Sequence, residues 1–284
     1  MAFLADRLKP QSIKVYLAGV RALHISHGHH NPLTHTIKLQ QTLRGIEREH
    51  SAPVKQKLPI TFDLLCRLHY LIDPHSEDDI VYWAAMATAH FLLLHAGEFT
   101  VQSTTSYDAE TLIRVQDATL HTTATGAEYI ALHLRKSKTD QQQRGVVLYV
   151  GHAHHTVCAV CALKANLHLH HTRLYSTPSD PLFRLSSGSP LARRDLTSFL
   201  STLLRLVGLD PQLYSGHSFR IGGATSATIA GLNDYEIKLL GRWSSDCYKR
   251  YIPSPLSLFL NVAPQIARTK DIPYQYASPY HSST

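Results

Sequence analysis

The chain has 284 residues, 44% of them hydrophobic and 17% charged, with a formal net charge of +7. That length and apolar content suit one large or two small folded domains and exclude a low-complexity or disordered polymer. Four scattered cysteines (Cys66, Cys158, Cys161, Cys247) exclude a secreted disulfide framework and point to a reducing, intracellular compartment, and no secretory signal pattern opens the chain. The most apolar stretch, 81–97, is interrupted by Thr88, His90 and His95; it is short for a bilayer span, so a buried core helix and no membrane insertion are expected. The positive charge is uneven. Residues 1–58 hold nine Lys/Arg against Asp6, Glu47 and Glu49, which suggests a polyanionic partner, nucleic acid ahead of an anionic membrane surface.

In chain order, "KPQSIKVYLAGVRALHISHG" reads as a helix with a proline near its start and Gly28 as its stop. Ile13, Tyr16, Leu17, Val20 and Leu23 fall on one face at helical spacing, and Lys14 and Arg21 project elsewhere. A second helix over 36–49 turns Leu39, Leu43 and Ile46 inward and displays Lys38, Arg44 and Arg48. "REHSAPVKQKLPIT", with two prolines and mixed charge, reads as an interdomain linker centred on 53–60. Thr61 is placed to cap a helix running to Leu71, and a long buried helix is expected over 79–94. "YIALHLRK" and "VVLYVG" alternate as strands around a polar turn, an antiparallel hairpin. Helices follow over 157–170, 195–207, 218–230 and 234–240, the last with Asn233 and Glu236 spaced as a capping box. From 269 the chain reads as a loose tail.

Chemistry collects in three places. "YSGHSFRIGGATSATIAG" sets His217 and Arg220 three apart on the first turn of a small-residue helix, an arrangement suited to a phosphate. "LGRWSSDCYKRYIP" packs Trp243, Tyr248 and Tyr251 beside Arg242, Lys249 and Arg250. "GHAHHTVCAVC" offers His152, His154, His155, Cys158 and Cys161. Structural zinc wants four regularly spaced ligands, and there is no second CxxC, so these residues are read as an ordinary buried face with no metal and no cofactor.

H-S-F-R-I-G-G-A-T, then L-G-R-W-S-S-D and R-Y-I, resemble the tyrosine recombinase (phage integrase) family, and most of all the enzymes of eukaryotic Crypton and DIRS/Ngaro mobile elements. The resemblance extends back through "LHLRKSKTD" and "LLLHAGEFT" to "SIKVYLAGVRALH". It implies a mainly helical fold with a small antiparallel sheet. A helical DNA-clamping domain would occupy 1–52, shorter than is usual for the family, followed by a catalytic domain over 61–268. It implies DNA breaking and rejoining through a 3′-phosphotyrosine intermediate, without a metal, on double-stranded DNA, by a homotetramer in the nucleus. Tyr251 would be the nucleophile, with Tyr248 the alternative. Arg220 would hold the non-bridging oxygens, and His217 would accept a proton or donate to the phosphate. Lys138, or else Lys136, would protonate the leaving oxygen. Trp243 would fill the family's His/Trp position, although its spacing to Tyr251 leaves Arg242 in competition. Lys14, Arg21, Lys38, Arg44, Arg48 and Arg242 would contact DNA.

His95 departs from this pattern. It stands where the family's first box has arginine, with Gly97, Glu98 and Phe99 holding the register. Imidazole offers fewer donors than guanidinium and is mostly neutral near pH 7, and losing one preorganised oxyanion donor costs about 10²–10³ in rate. The expectation is therefore an impaired recombinase, the alternative being a catalytically inactive DNA-binding remnant.

Overall fold

The computed structural model describes residues 2–8, 10–34, 36–49, 57–135, 145–243 and 256–268. It divides into two compact units, 1–56 and 57–284. The sequence-predicted Lys136, Lys138, Tyr248 and Tyr251 lie outside the described residues.

The first unit contains α1 (Ala2–Ala5), α2 (Pro10–Ser26) and α3 (Ile37–Glu49). Ile13 and Ile46 are buried, and Lys14 Nζ meets Glu47 Oε1 at 2.5 Å, tying α2 to α3. The apolar face expected on α2 is only partly covered. Ile13 is buried and Leu17 half-buried, but Tyr16, Val20 and Leu23 are exposed, because the short unit offers only α1 and α3 to pack against.

The second unit is mainly helical with one small antiparallel sheet, as the sequence suggested. α4 (Phe62–His69) starts where the Leu64 N–H donates to Thr61 Oγ1 at 3.3 Å. α5 (Glu77–Phe91) is capped by Ser76, carries Glu77, Asp78 and Asp79 in its first turn, and is continuously buried from Trp83 to Phe91. Acids at that end complement the helix dipole, and the apolar remainder makes it the central element of the core. It stops short of the expected residue 94 because Leu93 turns into the left-handed region at φ 49°. α6 (Ala96–Phe99) follows at once.

Strands β1 (Ala118–Thr122), β2 (Glu128–Leu134) and β3 (Val146–Gly151) form a meander in the order β1-β2-β3. Leu132 pairs with Leu148 and Ile130 with Val150, and these four side chains join the core. Sequence reasoning anticipated β2 and β3 but not β1. Four of the five β1 residues are exposed, so no alternation marks the strand. α7 (Ala159–Thr172) packs along α5, and α8 (Arg193–Leu206) buries Leu196, Leu200, Leu203 and Leu204. α9 (His217–Ile229) and α10 (Asp234–Gly241) come next. Asn233 Oδ1 accepts from the Glu236 N–H at 3.0 Å and Glu236 Oε2 accepts from the Asn233 N–H at 2.8 Å, closing the anticipated capping box. α11 (Leu256–Ala267) lies against β3 and α9.

Candidate phosphate-binding site

The site is assembled by the close approach of α9 to the end of α5. A Cβ on Gly222 would overlap the Ile60 carbonyl, and one on Gly223 would overlap the His90 carbonyl. At the start of α9, a Cβ on Gly216 would lie 3.0 Å from that of Ala96. The small residues of "HSFRIGGA" thus let α9 sit backbone to backbone against its neighbours, which carries Arg220 beneath the turn joining α5 to α6.

Arg220 is only 2% exposed. Its Nη1 donates to the Leu93 carbonyl, its Nη2 donates to the Gly241 carbonyl at 2.5 Å, and its guanidinium carbon lies 4.4 Å from the centroid of the Trp243 ring. Burial pulls its pKa down to about 10, with the neighbouring Arg242 adding to the fall and Glu98 opposing it, so the group is charged at neutral pH. Its described hydrogen-bond partners are carbonyls, not carboxylates.

Arg242 terminates α10 in the left-handed conformation at φ 55°. That turn sends its side chain inward, where Nη2 donates to Glu98 Oε2 at 2.7 Å and Nη1 to the Leu92 carbonyl at 3.3 Å. Burial lowers its pKa, and the Glu98 carboxylate resists the fall. The sequence set Arg242 among the DNA-contacting residues and in competition with Trp243, whereas its side chain is turned inward. It is a largely buried ion-pair partner, because its carboxylate lies inside. Trp243, by contrast, keeps 40% of its surface exposed while covering Arg220.

His95 is the N-cap of α6, with its backbone N–H donating to Glu98 Oε2 at 2.8 Å. Glu98 therefore joins the His95 backbone to the Arg242 side chain, and its Oε1 is buried with no hydrogen-bond partner among the described residues. The His95 ring lies nearly parallel to that of His217, at 13° and 6.3 Å between centroids. Arg193, which the sequence did not single out, lies against the same helix. A Cβ on Gly97 would come within 3.4 Å of its Nη2. Sequence reasoning quoted Glu98 only as a register mark, although its position three after His95 is the spacing of a helix cap.

A buried guanidinium held by carbonyls and a largely buried one held by a carboxylate thus lie in one region with two facing imidazoles, with a third arginine alongside. The surplus of positive charge, in a region shielded from water, favours an anion with several acceptor oxygens. Of the amino-terminal cations singled out in the sequence, Arg21, Lys38, Arg44 and Arg48 are exposed, whereas Lys14 is engaged by Glu47. Of the five potential metal ligands, His152, Cys158 and Cys161 converge, while the His155 ring packs edge-on against Phe62. Partial desolvation of its sulfur and the neighbouring Cys158 raise the Cys161 thiol to about 11, although the residue is exposed. Among the described residues, no helix is long and apolar enough to cross a membrane.

No family model matches the chain. Over 233 residues it is 27% identical to an integrase/recombinase XerD homologue of Selenomonas ruminantium, a match covering 79% of this chain and 62% of that protein. The chain thus spans less than two thirds of the length of this curated relative. Among solved structures it is similar to the XerH site-specific recombinase bound to difH substrate, at 17% identity and a TM-score of 0.47 over 75% of this chain and 51% of that one. It is also similar to the Tn1549 transposon integrase in complex with transposon right end DNA, at 16% identity and a TM-score of 0.46 over 90% and 76%.

Proposed function

We propose that the chain is a tyrosine-recombinase-like protein that binds double-stranded DNA, with its strand-cleaving chemistry impaired at His95. The observation that carries this reading is the cation cluster of buried Arg220 and of Arg242 paired with Glu98, near the facing rings of His95 and His217. The ordered boxes of the sequence and the likeness to an integrase/recombinase support the same assignment.

In this reading the Tyr251 hydroxyl attacks a backbone phosphorus. A 3′-phosphotyrosine bond forms as the bond to the 5′ oxygen breaks, and Lys138 gives that oxygen its proton. A 5′-hydroxyl later attacks the phosphotyrosine and restores both the DNA bond and the free tyrosine. No net hydrolysis occurs, because the phosphotyrosine conserves the bond. Arg220 supplies N–H donors to the non-bridging oxygens, His217 accepts the tyrosine proton or donates to the phosphate, and Trp243 covers the guanidinium. Arg242, fixed by Glu98, contributes charge from behind rather than direct contact. His95 stands in for a second forked cation, but its ring has at most two N–H donors. Integration or excision of a mobile element, a tetramer on paired DNA duplexes and a nuclear location belong to this proposal.

A second reading rests on His95 itself. If the missing guanidinium abolishes turnover, the chain persists as a DNA-binding module. A nicked suicide duplex separates the two by trapping the covalent intermediate. A weak band in the unaltered protein that strengthens in His95→Arg supports an impaired enzyme. Duplex binding with no band in either protein supports the binding module.

A further inference from the structure

We propose that His152, Cys158 and Cys161 form a binding site for a thiophilic divalent metal ion of the zinc class, clamping the end of β3 to the first turn of α7. One ligand atom from each residue lies within 4.8 Å of the others. His152 Nε2 is 3.2 Å from Cys161 Sγ, and a tetrahedral zinc site places such atoms about 3.5–3.8 Å apart. Only small side-chain adjustments separate this cluster from a coordination sphere.

The elements around it present both sulfurs toward one point. Cys158 is the N-cap of the 14-residue α7 and Cys161 its third residue, so both sulfurs sit at the positive end of a helix dipole. The Ala153 N–H donates to Cys158 Sγ at 3.2 Å, the type of supporting contact that orients and tunes a metal ligand. Cys158 is buried but Cys161 is exposed, which gives an ion a route in. A purely apolar contact would have no use for an exposed thiol facing an imidazole.

The proton balance specifies how the site closes. In the metal-free arrangement His152 Nδ1 accepts the His154 N–H at 3.0 Å, so its Nε2 carries the ring proton and faces Cys161. Coordination through Nε2 moves that proton to Nδ1, releases the two thiol protons to solvent and opens the His154 hydrogen bond. The His154 ring, 4.8 Å from that of His152 in a residue held at φ 52°, or a water then supplies the fourth ligand. The His155 ring packs edge-on against Phe62 instead, with its Nδ1 accepting the Val157 N–H at 3.0 Å. The clamp has a structural consequence. Gly151, immediately before His152, leaves no room for a Cβ against the Leu260 carbonyl of α11, so an ion at this site would fix the strand end on which α11 rests. This holds whether or not the chain cleaves DNA.

The test is cobalt(II) titration of the chelator-treated full chain under reducing conditions. One equivalent should bind with a near-ultraviolet sulfur-to-cobalt charge-transfer band and tetrahedral visible bands, and zinc should displace it. The band should disappear in Cys161→Ser and persist in Cys66→Ser. Should Cys161→Ser misfold, thiol counting on the unaltered protein decides: zinc should protect two of the four cysteines from a thiol reagent, and a chelator should expose them again. Cobalt binding without a charge-transfer band, or four thiols that react equally with and without zinc, would overturn the site. So would an air-formed Cys158–Cys161 disulfide in a reduced chain that takes up no metal.

Discussion

Glu98 is the residue on which the candidate site depends most. Its side chain caps α6 through the His95 backbone and neutralises Arg242, with only 3% of the side chain exposed. Breaking a buried pair by removing one partner leaves the other charge uncompensated, at about 3–5 kcal/mol. Glu98→Gln retains an oxygen for the His95 N–H but loses the charge. It should therefore destabilise the folded chain by roughly that amount, read by denaturant unfolding. A loss below about 1 kcal/mol would mean that the pair contributes little. At this scale the sequence was informative about identity and poor about direction. The register of Gly97, Glu98 and Phe99 singled out His95, and the three-residue spacing paired His217 with Arg220. The inward course of Arg242 was not read, because it depends on a left-handed helix end, which an arginine does not announce.

At the scale of elements, the contact of α9 with α5 determines whether the site exists at all. Gly222 and Gly223 face the carbonyls of Ile60 and His90 with no space for a Cβ. These neighbours are backbone, so they cannot swing aside. Gly222→Ala and Gly223→Ala should each cost about 1–3 kcal/mol or more, with a lower unfolding midpoint as the readout. Gly19→Ala, at an open position on α2, should be neutral or slightly stabilising, since alanine is the better helix former. Equal effects at all three glycines would refute the close-approach argument. The helices were legible because apolar periodicity and capping residues agree, as at Thr61 and Asn233. β1 was not, because an exposed, polar edge strand lacks the alternation that burial imposes. The helix α6 was missed for a related reason: it is four residues long and is set by the turn before it rather than by its own pattern.

For the molecule as a whole, charge and chemistry are divided between two units. The first carries Arg21, Lys38, Arg44 and Arg48 on its exposed surface, and the second carries the buried arginines. If the first unit grips the DNA backbone, each neutralised phosphate contact should lower the slope of log binding constant against log salt by about 0.9. Neutralising those four residues together should flatten the slope by roughly 3–4, measured by titration of labelled duplex at several salt concentrations. Lys14→Ala should add less, because Glu47 already holds that ammonium. An unchanged slope would remove the first unit from the DNA interface. The most direct measurement of the proposed chemistry is covalent trapping on a nicked suicide duplex, with the unaltered chain, His95→Arg and His95→Arg/Tyr251→Phe side by side. The expected result is a faint or absent band for the unaltered chain, trapping about 10²–10³-fold faster in His95→Arg, and none once Tyr251 is also replaced. Full-rate trapping by the unaltered chain at pH 8, or a band that survives Tyr251→Phe, would contradict it.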